Sequence, residues 1–387
     1  HLYIEILEKK KTLYNLWTRS MSTKKDNFTP EDYYYMNHAI NLAAERNGFT
    51  GLNPSVGCVI VKNNKILSIG QTGFNGRPHA ESEAIKVCKK KDLKGSTIYV
   101  TMEPCTHYGK TPPCTNLIVK SHIKRVIYSI NDVDVRTKNK AFPFLKSKKI
   151  IVSKGLLKNK TKNIYKKYFL HKNKKKPYIV AKLACSKDYY ISSKNKFITN
   201  QYSRKVSHLL RYYFDAILVS SKTSNSDNSV LSCRLQGLEK YSPRRLIIDK
   251  ELKIIKTSPI INDYRRKSTI IFHNSKDKKK IKYFKSKGIK LDYVDLDPNG
   301  RLNLNKVFSK AYSFGISSII VEGGKLLTES LLKNKLINEF YLFKSNKNLK
   351  KLGKNNIYNY KKKIKNLFKR KVNIETFLNG DKITRYF

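Results

Sequence analysis

A histidine, a carboxylate and two cysteines lie close together in the first third of this sequence. His79-Ala80-Glu81 comes first, Pro104-Cys105 follows, and Cys114 comes nine residues after Cys105. Zinc prefers imidazole and thiolate ligands, and three protein ligands leave a fourth position for water. Zinc-bound water becomes hydroxide near neutral pH, and a nearby Glu can carry its proton. The pattern predicts a hydrolytic zinc site with His79, Cys105 and Cys114 as ligands. We expect Glu81 to be the catalytic acid and base.

The spacing of the cysteines differs from that of ordinary zinc nucleobase deaminases. In those enzymes H-x-E is followed by P-C-x-x-C, and the Glu is not a ligand. Here the H-x-E and Pro-Cys elements are present, but the second cysteine comes nine residues after the first. The chemistry predicted from the residues is similar. Hydroxide attacks an amidine-like ring carbon, and Glu81 gives the proton to the departing ammonia.

Other polar residues near this motif are rival or additional site residues. Glu83 lies two residues beyond Glu81 on a predicted helix and should face away, whereas Glu103 is expected to orient the cysteine loop. His107 is a poor fourth zinc ligand, because it would close the position that water needs. Asn53 precedes a proline and a predicted buried strand. It is a candidate to hydrogen-bond the substrate and, equally, a candidate turn-forming Asn.

Helices and strands must bring these residues together, and their alternation sets the fold class. Thr29-Pro30 supplies an N-cap and a first-turn proline for the first helix. Strands that alternate with helices predict an α/β/α layer with parallel pairing. In such sheets, ligands bind where the strands end and lead into helices. The predicted helices are 29–47, 79–90 and 114–121, and the predicted strands are 56–61, 65–70, 96–102, 125–130 and 149–152.

A lysine-rich stretch at 172–176 ends at Pro177 and is predicted to be a linker or an exposed helix end. We place the domain boundary there. Asn379-Gly380, the strongest short hairpin signal, lies between predicted strands 374–378 and 383–387. The region after Pro177 therefore predicts a second α/β domain with a final hairpin. Its other predicted strands are 178–185, 215–221, 245–249, 268–273, 291–294 and 317–321, and its main helices are 201–212 and 326–336.

Val321-Glu322-Gly323-Gly324 ends one of these strands and leads into a predicted helix. Glycines at such a turn let a phosphate approach the backbone N–H groups at the positive end of the helix. A Gly-Gly pair alone is also typical of an ordinary turn. No G-x-G-x-x-G fingerprint follows a predicted strand, so a Rossmann nucleotide site is not supported.

Length and charge limit the class of protein. A chain of 387 residues predicts roughly two domains. The formal net charge of +53 favours either a nucleic-acid or anionic-surface partner or a compositional bias toward lysine. Because the lysines are scattered over both halves, we favour the compositional interpretation and expect no specific nucleic-acid partner.

Cysteine use and the amino terminus bear on location. Six cysteines are few for this length and favour a reducing, intracellular compartment. No run approaches the roughly 20 apolar residues of a membrane span, so we expect a cytoplasmic protein with no membrane partner. Residues 1–29 form a basic extension in which Glu5 and Glu8 weaken a transit-peptide interpretation, and organelle targeting is left open. The cysteines expected to be small buried hydrophobes are Cys58, Cys88, Cys185 and Cys233.

Three segments of the first half resemble the deaminase half of the bifunctional riboflavin-biosynthesis deaminase/reductase family. They are NPSVGCVIV at 53–61, PHAE at 78–81 and TMEPCTHYGKTPPC at 101–114. In that family a long loop with a His-x-Gly-Arg/Lys-Thr-Pro-Pro run separates the two cysteine ligands. The nine-residue spacing is therefore a feature of the family. The resemblance implies that His107 and Lys110, in this loop, meet the substrate or its phosphate.

The segment from Pro177 to Phe387 is similar to the reductase domain of the same family, which has a dihydrofolate-reductase-like fold and uses NADPH. Matching residues lie at 182–184, 197–199, 210–211, 220–223, 227, 231 and 234. The resemblance implies that Glu322 lies beside the substrate. It implies cofactor contacts from Ala184, Phe197, Thr223, Asp227, Gly324, Lys325, Leu326, Leu327, Thr328, Glu329 and Ser330. It implies further substrate contacts from Asn195, Arg211, Leu231 and Arg234, of which the arginines suit a phosphate.

The second half departs from the family pattern in three places. Ser-Leu-Asp-Gly of the family is Ser186-Lys187-Asp188-Tyr189, an aromatic Trp is Phe197, and Asp-Asp-Pro is Asp227-Asn228-Ser229. The first change removes a glycine that allows a turn or a close approach. The second keeps stacking area but loses an N–H donor. A second domain without reductase activity therefore stays open as an alternative.

The residues and the resemblance together predict a basic extension at 1–29 and two α/β domains. An N-terminal cytidine-deaminase-like α/β/α domain at 30–172 precedes a dihydrofolate-reductase-like domain at 177–387. The expected reactions are zinc-dependent deamination of 2,5-diamino-6-(5-phosphoribosylamino)pyrimidin-4-one and NADPH reduction of 5-amino-6-(5-phosphoribosylamino)uracil. The alternatives are a deaminase with a degenerate second domain and a nucleic-acid base deaminase. We expect one Zn2+ per chain, NADPH, a small phosphorylated pyrimidine substrate, and a homo-oligomer formed through the reductase domain.

Overall fold

The computed structural model describes residues 28–193 and 197–387. Residues 1–27, and with them most of the predicted basic extension, lie outside the described residues, as does Asn195. The chain divides into two compact units. Of the described residues, the first unit contains 28–50 and 54–166, and the second contains 51–53 and 167–387. None of the helices in the described ranges is both long enough and apolar enough to cross a membrane.

The first unit is a five-stranded sheet with helices, in the strand order β2-β1-β3-β4-β5. β1 pairs antiparallel with β2 and with β3, while β3, β4 and β5 are parallel. The parallel pairing and every predicted strand of this unit are confirmed, with ends shifted by at most two residues. The helices are α1 (Pro30–Glu45), α2 (Ala80–Val87), α3 (Lys90–Leu93), α4 (Cys114–Lys120), α5 (Ala141–Ser147) and α6 (Lys158–Ile164). The strands are β1 (Gly57–Lys62), β2 (Lys65–Gln71), β3 (Thr97–Met102), β4 (Arg125–Ile130) and β5 (Ile151–Lys154).

Local sequence explains where the helices of this unit begin and end. The Thr29 hydroxyl accepts a hydrogen bond from the Asp32 backbone N–H at 3.3 Å, and the Asp32 carboxylate accepts one from Thr29 N–H at 3.1 Å. This reciprocal capping box fixes the start of α1. α2 ends at Val87, before the predicted residue 90, because Cys88 is extended. Cys88 is part-exposed, unlike the other three cysteines that were predicted to be buried.

Two glycines let helices pack closely on the first sheet. A Cβ added at Gly57 would overlap the carbonyl oxygen of Ala39 in α1, and one added at Gly70 would overlap that of Ala80 in α2. Both obstacles are backbone atoms, so neither can move aside as a side chain would. The contact at Gly70 sets the position of α2 on β2, and α2 carries two of the predicted site residues.

The second unit is built on a nine-stranded sheet in the order β11-β10-β9-β8-β12-β6-β13-β16-β15. Its strands are parallel except at the β16 edge, where β16 pairs antiparallel with β13 and β15. The strands are β6 (Tyr178–Cys185), β7 (Tyr190–Ser193), β8 (Ala216–Ser220), β9 (Arg244–Ile248), β10 (Thr269–His273), β11 (Lys290–Tyr293), β12 (Ser318–Val321), β13 (Glu339–Lys344), β14 (Gly353–Asn356), β15 (Lys371–Asn373) and β16 (Lys382–Tyr386). The helices are α7 (Lys166–Lys174), α8 (Gln201–Tyr212), α9 (Ser221–Asp227), α10 (Pro259–Asn262), α11 (Lys278–Ser286), α12 (Leu304–Ser313), α13 (Lys325–Lys333) and α14 (Tyr360–Leu367).

The predicted final hairpin is present, but its first strand is not the predicted one. Asn379 and Gly380 have φ of 45° and 86°, as a tight turn requires. The strand that pairs with β16 is Lys371–Asn373, so the prediction of a strand at 374–378 is wrong. β7, β13 and β14 were not predicted from the sequence.

The compact units divide at Lys166 and Lys167, before the boundary that we placed at 172–177. The lysine-rich stretch overlaps the end of α7, a helix that buries Tyr168 and His171. The His171 ring lies 6.1 Å from the ring of Tyr312 in α12, so α7 packs with the second unit.

Candidate active sites

The three predicted zinc ligands converge in the first unit. His79 is the N-cap of α2, Cys114 begins α4, and Cys105 lies in the loop after β3. His79 Nδ1 lies 3.3 Å from Cys114 Sγ and 3.6 Å from Cys105 Sγ. The three donor atoms all lie within 4.8 Å of one another. Residues 35 positions apart thus form one cluster, and no other group of this kind occurs among the described residues.

The surroundings of Cys105 favour a thiolate. A hydrogen bond from Cys114, opposed by burial and joined by one from His79, lowers the pKa of the Cys105 thiol to about 4. The backbone N–H of Cys114 also donates to Cys105 Sγ at 3.3 Å. Because the thiolate is the metal-binding form, one imidazole and two cysteine sulfurs in this geometry fit a zinc ion.

Glu81 is buried beside the ligand cluster, with 4% of its surface exposed. Burial is the main cause that raises the pKa of its carboxyl to about 7, while the neighbouring His79 acts in the opposite direction. A group with a pKa near the working pH can both take and give a proton. The position and the chemistry of Glu81 therefore suit the predicted acid and base.

The two rival carboxylates have structural partners. Glu83 Oε2 accepts a hydrogen bond from the Gln71 backbone N–H at 2.9 Å, at the end of β2. Glu103 accepts bonds from the backbone N–H groups of Asp132, Asn139 and Ala141 at 3.0–3.1 Å. Glu103 thus ties the segment after β4 to the start of the cysteine loop, and its orienting role in that loop stays a prediction.

Residues of the loop between the cysteines lie near the surface. His107 is half-buried, and its Nδ1 lies 3.1 Å from the Thr137 hydroxyl. This contact joins the loop to the segment that Glu103 orders. Lys110 is exposed in the loop, and Asn53 is exposed before β1. Substrate contacts by these three residues stay predictions.

The predicted substrate residue Glu322 forms an ion cluster in the second unit. Arg211 donates to both of its oxygens, from Nε at 2.7 Å and from Nη2 at 2.9 Å. Lys182 Nζ lies 3.7 Å from Glu322 Oε2. Burial would raise the pKa of the Glu322 carboxyl, but Arg211 and Lys182 outweigh it and lower the pKa to about 2. Glu322 is therefore a carboxylate at any ordinary pH.

The parallel sheet explains why Lys182 meets Glu322. β6 and β12 pair in parallel with Ala181 opposite Val321, so the next residue of each strand is a neighbour. Burial lowers the pKa of the Lys182 ammonium, and Glu322 opposes that effect. Lys182 lies in one of the segments that match the family, and no role was predicted for it. The signal that would have found it is this strand register.

Gly324 and Thr223 form the start of the predicted cofactor site. Gly324 is the N-cap residue of α13 and gives it no side-chain cap. A Cβ added at Gly324 would lie 3.4 Å from the Thr223 hydroxyl. The bare glycine leaves helix N–H groups open beside a hydroxyl, which fits a phosphate of a dinucleotide. The other predicted residues of this segment, Lys325, Leu326, Leu327, Thr328, Glu329 and Ser330, form the first turns of α13.

The remaining predicted residues of the second unit lie in β6, in α9 and in two loops. Phe197 is 54% exposed, and the Arg204 guanidinium lies 4.3 Å from its ring centre. Leu231 is buried with φ of 52°, and Arg234 is exposed. Ala184 lies in β6 and Asp227 ends α9. Their contacts with cofactor or substrate stay predictions.

The loop that departs from the family at Tyr189 keeps the turn. Tyr189 has φ of 68°, the left-handed conformation that a glycine adopts easily. Asp188 accepts hydrogen bonds from Ser186 at 2.6 Å and from the backbone N–H groups of Leu349 and Lys350 at 3.0 and 2.8 Å. The turn is therefore present with Tyr189 in place of the glycine of the family pattern.

His208, which lies beside Arg211 in the second unit, was not among the predicted site residues. Its Nδ1 lies 3.1 Å from the Ser232 carbonyl oxygen, to which Arg211 Nη1 also donates at 3.0 Å. The i, i+3 spacing of His208 and Arg211 places both on one face of α8. That spacing is the sequence signal that could have found it.

Comparisons with known proteins agree for both units. Residues 29–130 match the cytidine and deoxycytidylate deaminase zinc-binding region, and residues 177–349 match the RibD C-terminal domain. The riboflavin biosynthesis protein RibD of Aquifex aeolicus is 34% identical over 315 residues, which cover 81% of this chain and 86% of that protein. That of Actinobacillus pleuropneumoniae is 33% identical over 318 residues, covering 81% and 84%.

A solved structure has the same two-unit fold. The Thermotoga maritima structure, described as a diaminohydroxyphosphoribosylaminopyrimidine deaminase/5-amino-6-(5-phosphoribosylamino)uracil reductase, is 26% identical with a TM-score of 0.74. The match covers 92% of this chain and 98% of the Thermotoga maritima chain. The fold is therefore that of a deaminase followed by a RibD reductase, as the sequence predicted.

Proposed function

This chain belongs to the RibD family of riboflavin biosynthesis proteins, and we propose that the two sites described above carry out the two reactions of that family. The first reaction is the zinc-dependent hydrolytic deamination of 2,5-diamino-6-(5-phosphoribosylamino)pyrimidin-4-one. The second is the NADPH reduction of 5-amino-6-(5-phosphoribosylamino)uracil to the ribitylamino product. The chain is thus a bifunctional deaminase and reductase.

In the deaminase site, His79, Cys105 and Cys114 would hold zinc, which when bound supplies a water that ionises near neutral pH. Glu81 takes the proton of that water as the ring carbon is attacked. The same carboxyl then gives the proton to the amino nitrogen, and ammonia leaves. The observation that supports this role is the burial of Glu81, which raises its pKa to about 7.

In the reductase site, NADPH supplies the hydride, and the protein supplies binding and orientation. We place the cofactor phosphates at Thr223 and at the start of α13. Glu322 fixes Arg211 and Lys182 beside the substrate and stays ionised. Arg211 already donates from Nε, Nη1 and Nη2 to protein atoms. The exposed Arg234 is therefore the better placed of the two arginines for a substrate phosphate.

We further propose that the deaminase function belongs to residues 30–172 and the reductase function to 177–387. The two family matches, at 29–130 and 177–349, support this division. We also propose a cytoplasmic homo-oligomer that assembles through its reductase domain and has no specific nucleic-acid partner. None of the six cysteines forms a disulfide, which supports a reducing compartment.

The test of Glu81 separates the two activities. Glu81→Gln keeps the shape of the side chain but removes the proton carrier, so ammonia release should fall by about 10²–10⁴-fold. Reduction of pre-formed deaminated substrate, followed as NADPH oxidation, should not change. The matched control is Glu83→Gln, which keeps an acceptor for the Gln71 backbone N–H and should keep ammonia release. Ammonia release that survives in Glu81→Gln would show that the assignment is wrong.

A further inference from the structure

The short segment 231–234 is held in a strained shape beside the Glu322 cluster. Leu231 is 3% exposed and has φ of 52°. Left-handed backbone is unfavourable for a residue with a side chain and persists only where neighbours enforce it. The segment ends at Arg234, the proposed phosphate contact. Its shape therefore decides where the backbone of Arg234 lies and from which point its side chain extends.

Two side chains of α8 hold this segment at a single atom. His208 Nδ1 and Arg211 Nη1 lie 3.1 and 3.0 Å from the Ser232 carbonyl oxygen. A carbonyl oxygen has two lone pairs and only accepts, so it can serve both donors, and His208 must carry its proton on Nδ1. On the other side, the Ser242 hydroxyl accepts from the Cys233 backbone N–H at 3.0 Å.

The charges around His208 explain why a histidine suits this place. Burial and the nearby cations Arg211 and Arg234 lower the pKa of its imidazole to about 4, so the ring is neutral at pH 7. A lysine or arginine here would add a third cation and be repelled by the other two. A neutral N–H donor holds the carbonyl without that repulsion.

We propose that His208 is a positioning residue of the reductase, which fixes the 231–234 segment through the Ser232 carbonyl and thereby places Arg234 against the substrate phosphate. The inference rests on the proposed function, since it takes Leu231 and Arg234 as substrate contacts. His208 acts through the loop and need not touch the cofactor. Its loss should therefore affect the KM for the substrate more than the KM for NADPH.

The test uses the full, zinc-loaded chain and pre-formed 5-amino-6-(5-phosphoribosylamino)uracil. Losing one buried hydrogen bond weakens an interaction by about tenfold, so His208→Ala should raise the substrate KM by about that factor. The KM for NADPH should change less than about twofold. His208→Asn, whose amide nitrogen lies where Nδ1 was, should restore most of the loss. His208→Gln, whose amide reaches further, should not.

Lys205→Ala, at an exposed position of the same helix, controls for changes in α8 alone and should behave as wild type. An unchanged substrate KM in His208→Ala overturns the inference. The inference is also overturned if kcat and both KM values worsen together in His208→Ala and the Asn variant fails to rescue them. If the Ala variant does not fold, equal KM values for the Asn and Gln variants overturn it. Wild-type chain that oxidises no NADPH would refute the proposed reductase function itself.

Discussion

Glu322 shows how two cations can hold one buried carboxylate in its charged form. The paired guanidinium and the nearby ammonium keep its pKa at about 2, below the ordinary 4.5. A carboxylate with a depressed pKa stabilises the fold above the ordinary pKa, and that stability is lost as the pH falls toward the folded value. The difference of pKa corresponds to about 3 kcal/mol.

Glu322→Gln should therefore lower the free energy of unfolding at pH 7 by about 3 kcal/mol, because Arg211 and Lys182 lose their counter-charge. The difference in the free energy of unfolding between wild type and variant should become smaller as the pH falls from about 5 toward 3. Urea unfolding at several pH values, followed by circular dichroism, measures both effects. Glu329→Gln, which breaks an exposed pair with Lys363, should change little at any pH. A gap that stays constant with pH would contradict the assignment.

At the residue scale, the zinc motif was predictable because its residue types are rare and close in sequence. Glu81 and the three predicted zinc ligands all lie between residues 79 and 114. The Glu322 cluster was only partly predictable, because Arg211 and Glu322 are 111 residues apart. No local pattern links them. The strand register and the helix face that bring them together are products of the fold.

At the scale of elements, Gly70 sets how closely α2 lies on β2. Gly70→Ala would push against the Ala80 carbonyl, and overpacking of this kind costs about 1–3 kcal/mol. Because His79 is the N-cap of α2 and Glu81 lies in its first turn, the variant should also bind less zinc per folded chain. Thermal unfolding and metal analysis of the folded fraction test this. Gly57→Ala overlaps Ala39 in α1, so it should destabilise without the same loss of zinc.

The elements were predicted well where they are apolar and regular. β4, β6 and α8 were predicted with the bounds that the structure has. β13 was missed although Phe340-Tyr341-Leu342-Phe343 is an apolar run typical of a strand. β7 and β14 are short and pair only with each other, and their polar sequences resemble loops. The strand at 374–378 was wrong because a turn signal fixes where a hairpin turns, not where its strands end.

At the scale of the whole molecule, the two activities should be separable by metal removal. A chelator such as dipicolinate should abolish ammonia release, and added zinc should restore it. NADPH oxidation with deaminated substrate should continue in the chelated sample, because the one ligand cluster found among the described residues lies in the first unit. Loss of both activities on chelation would contradict the assignment of zinc to the deaminase site alone.

The net charge of +53 should produce non-specific binding to RNA without chemistry on its bases. Binding that comes from phosphate contacts falls steeply with salt, so it should be lost between about 0.05 and 0.3 M NaCl. No cytosine or adenine should be deaminated at either salt concentration. A filter-binding titration with sequencing of the recovered RNA measures both. Base conversion, or binding that resists salt, would favour a nucleic-acid deaminase.

Tyr189 limits how this sequence can change in the future. Its backbone is strained by about 1–2 kcal/mol where the family has a glycine. The Lys344 ammonium lies 4.2 Å from its ring centre and donates to its hydroxyl at 3.1 Å, and the Tyr358 ring lies 5.4 Å away. A return to glycine would relax the backbone, but it would lose these contacts and add freedom to the unfolded chain. A glycine at this position would therefore trade side-chain contacts for an easier backbone conformation, and the two effects on stability oppose each other.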